Sequence, residues 1–278
     1  MRMTKMMMSG ILAAAMVGCG GMDESQTDTE LGQSEGAATV HTFGVHATDA
    51  YEANWQDALT GFQWDMTSRF INQLRKTDTN KFYYNLQGKA YYWHDTGDHA
   101  VNSLEDVDLF FTTTHGGAWN DSAGNSNAVW AMWNNGSVAW SRQMRLGDEL
   151  TGLSIFAQVS CDTLTTADGN VWSRWGPIFA GGLRVALGSH DLLANSSTKK
   201  PVGENFAIYL QNGYKLGDAW YWALSNPSTG DDIAVMYNGT DATDCSNRYN
   251  MTWQNFTNYA RRRDGNNGYM CWWQWDDA

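Results

Sequence analysis

From about residue 40 onward, short and nearly unbroken apolar runs alternate with stretches whose apolar residues recur every three or four positions. Thr42–Ala47 (TFGVHA) predicts a short strand. Phe62–Arg75 follows with Phe62, Met66, Phe70 and Leu74 at four-residue spacing, which gives a helix one apolar face. Lys81–Leu86 and Lys89–Trp93, separated by Gln87-Gly88, read as a hairpin or a bent edge strand. Val107–Thr113 (VDLFFTT) and Leu153–Val159 (LSIFAQV) are continuous hydrophobic and β-branched runs, the pattern of strands buried on both faces. Ala128–Trp133 is a further strand candidate that ends at an Asn134-Asn135-Gly136 turn. Trp172–Gly181 reads as a helix, Leu183–Leu187 as a strand, and Lys200-Pro201 opens a helix that Gly213 can stop after Asn212. Leu216–Leu224 predicts another helix and Ile233–Tyr237 a late strand, whereas the stretch from Met251 resists assignment. Strands interleaved with helices predict an α/β fold, a three-layer sandwich in which helices flank a mainly parallel sheet, with a Trp-rich C-terminal extension.

The N-terminus departs from this alternation. Arg2 and Lys5 precede an apolar run from Met6 to Val17, too short to span a bilayer as a helix and suited to a secretory leader. Met16-Val17-Gly18-Cys19 is similar to a bacterial lipobox, which would make residues 1–18 a lipoprotein signal peptide and Cys19 the lipidated residue. Residues 19–40 are polar, acidic and rich in Gly, Ser and Thr, as a flexible tether would be. Residues 41–278 then form one domain outside the cytoplasm, lipid-anchored in the bacterial cell envelope or secreted.

Composition narrows the partners. The 278-residue chain carries a formal charge of −12, which argues against nucleic acid because phosphate binding needs a basic footprint. Arg261-Arg262-Arg263 is a local basic run best read as a solvated helix end. Four cysteines are too few for a disulfide-built miniprotein. With Cys19 given to lipid, a simple account pairs Cys245 with Cys271 and leaves Cys161 free, either buried and inert or reactive.

The two strongest strands end in chemistry-bearing residues, Thr114-His115-Gly116-Gly117 and Ser160-Cys161-Asp162-Thr163. Loops beyond the carboxyl ends of parallel strands gather at one sheet edge, so adjacent strands would set His115 beside Cys161. An imidazole there can take the thiol proton and keep a thiolate populated near neutral pH. Gly116, lacking a side chain, can bring its N–H close to a reacting carbonyl and share an oxyanion hole with the N–H of Cys161. Single residues of these kinds are more often structural; the matched strand contexts are what favour a functional pair.

LFFTTTHGG and LSIFAQVSCDTL, followed by WGPIFAGGLRVALGSHDLL, resemble the caspase-like (clan CD) cysteine peptidases, nearest to the CHAT and separase-type branch. The resemblance covers about Val107 to Leu224. It implies His115 and Cys161 as the catalytic pair, Gly116 as an oxyanion donor, and Asp162 at the acidic position after the nucleophile. The departure is Ser160 immediately before Cys161, where much of the branch has a small residue between. The implied activity is cleavage of a peptide or protein substrate without a cofactor. Asp162, His190 and Asp191 are pocket candidates, the two acids favouring Lys or Arg in the substrate.

Other polar clusters read more blandly. His190-Asp191 could orient substrate, serve as a second base or join a metal site with His115, although a local turn hydrogen bond from Asp191 is the preferred reading. His94, Asp95, Asp98 and His99 match no zinc spacing and read as a solvated turn. Asn120 to Asn127 is a polar loop, over the site or on the surface. The rival function rests on 15 tryptophans, too many from Trp119 to Trp275 for one core without special packing: an inactive surface lipoprotein that binds glycan or protein through whichever indole faces are exposed.

Overall fold

The computed structural model describes residues 3–9, 40–48, 62–85, 107–131, 138–144, 146, 153–180, 183–193, 197–225, 231–256 and 269–276. Cys19 and the tether up to residue 39, the His94–His99 turn, Trp133, the Asn134–Gly136 turn and Arg261–Arg263 lie outside them.

The main sheet has eight strands in the order β1-β11-β10-β9-β8-β4-β2-β3. In chain order these are β1 (Met3–Ser9), β2 (Thr42–Ala47), β3 (Thr79–Asn85), β4 (Leu109–Thr113), β8 (Ile155–Val159), β9 (Val185–Ser189), β10 (Ile233–Gly239) and β11 (Tyr269–Trp275). β3, β2, β4, β8 and β9 run parallel, while β10 and β11 are each antiparallel to the strand before them in the sheet. β1 pairs antiparallel with β11, so Met3–Ser9, within the segment read as a leader, is an edge strand of the sheet. A second, three-stranded antiparallel sheet holds β5 (Gly116–Asn120), β6 (Ser126–Ala131) and β7 (Val138–Trp140).

Side-chain alternation explains the layers. Phe43, Val45, Leu109, Phe111, Ile155, Val185, Leu187, Ile233, Val235 and Trp273 face one core, shared with α1 (Phe62–Leu74), α3 (Val202–Gln211) and α4 (Leu216–Ser225). Their neighbours Phe110, Phe156, Ala186, Ala234, Met236 and Trp272 face the other, against α2 (Val171–Ala180) and the small sheet. A strand buried on both sides has no polar alternation to show, which is why these runs look unbroken. The result is a mixed α/β, three-layer arrangement around a mostly parallel sheet. Gly203 lets α3 cross α1 closely, since a Cβ there would sit 2.2 Å from the Met66 carbonyl oxygen.

Two departures from expectation have physical causes. The Trp-rich C-terminus is a strand inside the sheet rather than an extension, and YMCWWQW hid its period because both of its faces are covered. Ser126–Ala131 belongs to the small sheet, and β5 begins directly at Gly116, so the polar stretch between them is a hairpin turn. Asp121 closes that turn by accepting the N–H groups of Ala123 and Asn125, each at 2.9 Å. Of the region read as a hairpin or a bent edge strand, Thr79–Asn85 is β3, a parallel edge strand on β2 with a register shift between Phe43 and Gly44, and Leu86 and the Lys89–Trp93 run lie outside the described residues. Cys245, on α5 (Ala242–Arg248), is disulfide-bonded to Cys271 of β11, with Cα atoms 6.1 Å apart.

Candidate functional site

Pairing between β4 and β8 ends with Thr113 opposite Val159, and the Thr114 N–H extends the ladder to the Val159 carbonyl at 3.3 Å. His115 and Cys161 therefore leave adjacent parallel strands at equivalent positions, each two residues past the last pair. The two loops then press together. A Cβ on Gly116 would lie 2.7 Å from Thr163 Cγ2, 2.8 Å from Ser160 Cβ and 3.2 Å from the Cys161 carbonyl oxygen. Glycine is required there by close approach, not by backbone angle. Hydrogen bonding from Ala131 N–H to the His115 carbonyl (2.8 Å), with Gly116 opposite Trp130, makes Gly116 a non-hydrogen-bonded position of the β5–β6 ladder. Its N–H consequently points away from β6.

The Cys161 turn is held from the β9 side. Asp162 N–H donates to the Asp191 carbonyl and Leu164 N–H to the Ser189 carbonyl, both at 2.9 Å, while the Ser189 hydroxyl donates to the Ser160 carbonyl at 2.7 Å. Asp162 takes a left-handed conformation (φ 52°), which short polar side chains tolerate best among residues with a Cβ. Cys161 is half-buried, and its sulfur accepts the Leu193 N–H at 3.4 Å. Segment 191–193 thus lies against the thiol.

Electrostatics at the sulfur run against the thiolate expected from the sequence. Burial pushes the thiol above its ordinary value, the Leu193 N–H opposes this, and the carboxylates of Asp162 and Asp191 push it further up. Asp162 itself is raised by burial, partly offset by its hydrogen bond with Thr165. The free protein therefore holds Cys161 as a neutral thiol at neutral pH, and its proton must be removed during attack.

One cation fastens both loops from behind. Arg174 of α2 is fully buried and donates to the Thr165 carbonyl, to Asp168 (2.5 and 2.9 Å) and to Ser126 Oγ (2.9 Å). It joins the segment after Cys161 to the hairpin after His115, and these hydrogen bonds hold the Asp168 carboxyl down at about 2. Trp175 adds a hydrogen bond to the Thr163 carbonyl at 2.8 Å, and Trp130 Nε1 donates to Gln158 of β8. Nothing in the local sequence marks Arg174, which is buried only because three acceptors converge on it.

The pocket candidates separate. Asp162 and Asp191 both act on the thiol, and Asp191 Oδ1 also accepts the Leu192 N–H at 2.7 Å in a local turn. His190 turns elsewhere, with Nε2 3.3 Å from Asp276 Oδ1. Leu192, in the segment against the thiol, and Trp119, whose indole lies over Gly117, are exposed apolar side chains, at 71% and 42% exposure. Most described tryptophans are instead buried: Trp130, Trp175, Trp220, Trp253, Trp272, Trp273 and Trp275. Trp220 spends its indole N–H on the Gly188 carbonyl at 3.0 Å and Trp253 on Asp78 at 3.1 Å. Trp64, Trp119 and Trp222 are the exposed indoles among the described residues.

A family model described as a domain of unknown function (DUF6345) matches residues 38–276. The chain belongs to this family. The DUF6345 match takes in every described element except β1, and with them His115, Cys161 and the Cys245–Cys271 bridge. No curated protein matches the chain.

Proposed function

We propose that this DUF6345 protein is a cysteine peptidase of caspase-like type, in which His115 and Cys161 act on a peptide bond. The observation that carries the reading is the matched exit of the two residues from adjacent parallel strands, with Gly116 packed onto the Cys161 turn. In an open α/β sheet this is where ligands bind, and the order β3-β2-β4-β8-β9 puts the reversal of strand order beside β4.

The chemistry follows from the neutral thiol. As substrate binds, His115 takes the Cys161 proton while the sulfur attacks the scissile carbonyl carbon. The Gly116 and Cys161 N–H groups stabilise the oxyanion, and the imidazolium returns the proton to the leaving amine. Water, deprotonated by His115, then attacks the thioester, and the departing sulfur recovers a proton. Asp162 and Asp191 favour a Lys or Arg side chain in the substrate by charge, and Trp119 and Leu192 supply apolar contact.

The envelope setting belongs to the same reading: removal of residues 1–18 and lipidation of Cys19 would tether the domain to a membrane. Such cleavage takes β1 with it and leaves β11 as the edge strand. No helix among the described residues is long and apolar enough to cross a membrane. The alternative, binding of glycan or protein through exposed aromatics, would fall to Trp64, Trp119 and Trp222 among the described residues.

Incubation with pooled internally quenched peptides, and separately with a Lys- or Arg-containing peptidyl chloromethyl ketone, tests the proposal. Cleavage and alkylation at Cys161 are expected in the wild type, both lost in Cys161→Ser and slowed at least a hundredfold in His115→Ala. Cleavage that persists in Cys161→Ser, or alkylation indifferent to His115→Ala, overturns it.

A further inference from the structure

Ser189, Ile233 and Trp275 form one cross-strand row through β9, β10 and β11. His190, Asp232 and Asp276 each stand one residue beyond that row, so three polar side chains from distant parts of the sequence come out on one face of one sheet edge. One ligand atom from each lies within 4.8 Å of the other two. The His190 N–H donates to the Asp232 carbonyl at 3.0 Å, which fixes the first two against each other. Asp231, next in sequence, is committed elsewhere, in a buried ion pair with Lys199.

The His190 ring supplies an independent indication. Nε2 is shielded from solvent and has no hydrogen-bond partner, although Asp276 Oδ1 stands 3.3 Å away. That oxygen lies at ion-pair distance without hydrogen-bonding geometry. Two ligands about 2.05 Å from a tetrahedral Zn²⁺ are separated by about 3.3 Å, so this pair is spaced as two ligands of one ion would be. Asp276 is exposed, which leaves its carboxylate free to close the wider gaps.

We propose that His190, Asp232 and Asp276 bind a divalent transition-metal ion, Zn²⁺ being the best fit, and that the ion fixes the segment lying on Cys161. One imidazole with two carboxylates suits Zn²⁺ or Mn²⁺ better than Ca²⁺ or Mg²⁺, which take all-oxygen shells. Three protein ligands leave an open position for water. His190 is followed at once by Asp191 and, two residues further, by Leu193, whose backbone groups hold the Asp162 N–H and the sulfur. An ion that pins His190 therefore stiffens the contact over the thiol. The binding claim stands alone, while the effect on Cys161 rests on the reading of that residue as the nucleophile.

The full chain, stripped with EDTA and dialysed, is titrated with ZnCl₂ and metal uptake is measured. One equivalent is expected, weakened roughly tenfold or more by Asp276→Asn and by His190→Gln, unchanged in Cys161→Ser, and not displaced by equimolar Ca²⁺. Absent saturable uptake in the wild type, uptake indifferent to both ligand variants, displacement by Ca²⁺, or loss in Cys161→Ser each overturns the site. Co²⁺ gives a second readout that needs no variant: visible d–d bands stronger than those of aqueous Co²⁺, without thiolate charge transfer, support the site, and strong thiolate charge transfer overturns it. For coupling, saturating Zn²⁺ should slow iodoacetamide labelling of Cys161 several-fold in the wild type and leave Asp276→Asn unaffected. Equal rates with and without Zn²⁺, where uptake is one equivalent, overturn the coupling alone. Peptidase activity without metal uptake overturns only the metal site.

Discussion

Gly116→Ala tests whether the His115 strand really abuts the Cys161 turn. The added carbon would meet Thr163 Cγ2 at 2.7 Å and Ser160 Cβ at 2.8 Å, with Thr163 fully buried and unable to swing into solvent. Carbon pairs prefer about 3.5–4.0 Å, so each contact is short by about 1 Å and backbone or side chains must shift. Overpacking of this kind costs about 1–3 kcal/mol. In a domain of this size that lowers Tm by about 2–10 °C. Thr163→Ser removes the nearer of the two clashing carbons and keeps the hydroxyl, so the double variant should recover about 0.5–1.5 kcal/mol of the loss. Urea unfolding followed by circular dichroism, with the disulfide intact, yields the four free energies of this cycle. A neutral Gly116→Ala, or strict additivity with Thr163→Ser, would refute the contact and with it the closeness of the two loops.

Four further outcomes are expected. Lys199→Met removes the cation paired with the fully buried Asp231 carboxylate and should cost about 3–5 kcal/mol in urea unfolding; a loss under 1 kcal/mol would contradict the buried pair. His46 is fully buried between Thr112 and Thr48, and burial lowers it to about 3 from 6.5. Its stabilisation is complete above about pH 6.5 and is lost as pH falls toward 3, at about 1.4 kcal/mol per pH unit, so His46→Asn should flatten unfolding free energy between pH 5 and 6.5. Replacing Cys245 and Cys271, 26 residues apart, by Ala should cost about 3.5 kcal/mol on the loop-entropy scale, read from the shift in urea midpoint. A chain that starts at residue 19 should unfold cooperatively with an unchanged midpoint, since the family match begins at residue 38; a drop beyond 1 kcal/mol would make β1 a required strand.

Much of the scaffold was readable because two-sided burial writes continuous apolar runs, as in Leu109–Thr113 and Ile155–Val159, and because α1 keeps a four-residue apolar spacing. Strand-end logic then brought His115 and Cys161 to one edge. β5 was hidden because GGAWN has neither β-branched residues nor alternation, and it forms by pairing with β6. β11 was hidden by the opposite fault, apolar residues on every face. The charge state of the thiol could not be foreseen: the strand ends indicate which residues meet, whereas burial and the carboxylates of Asp162 and Asp191 decide whether the proton stays. The His190, Asp232 and Asp276 row depends on antiparallel register across three strands, information absent from any local window.

The burial of the Cys161 sulfur beside the Asp162 and Asp191 carboxylates has a consequence for its endurance toward oxidants. Peroxides and disulfides consume the deprotonated sulfur far faster than the protonated one. By keeping its hydrogen until a partner arrives, this cysteine stays chemically quiet toward oxidants, and its sulfhydryl can persist in the same domain as the Cys245–Cys271 bridge without being drawn into scrambling.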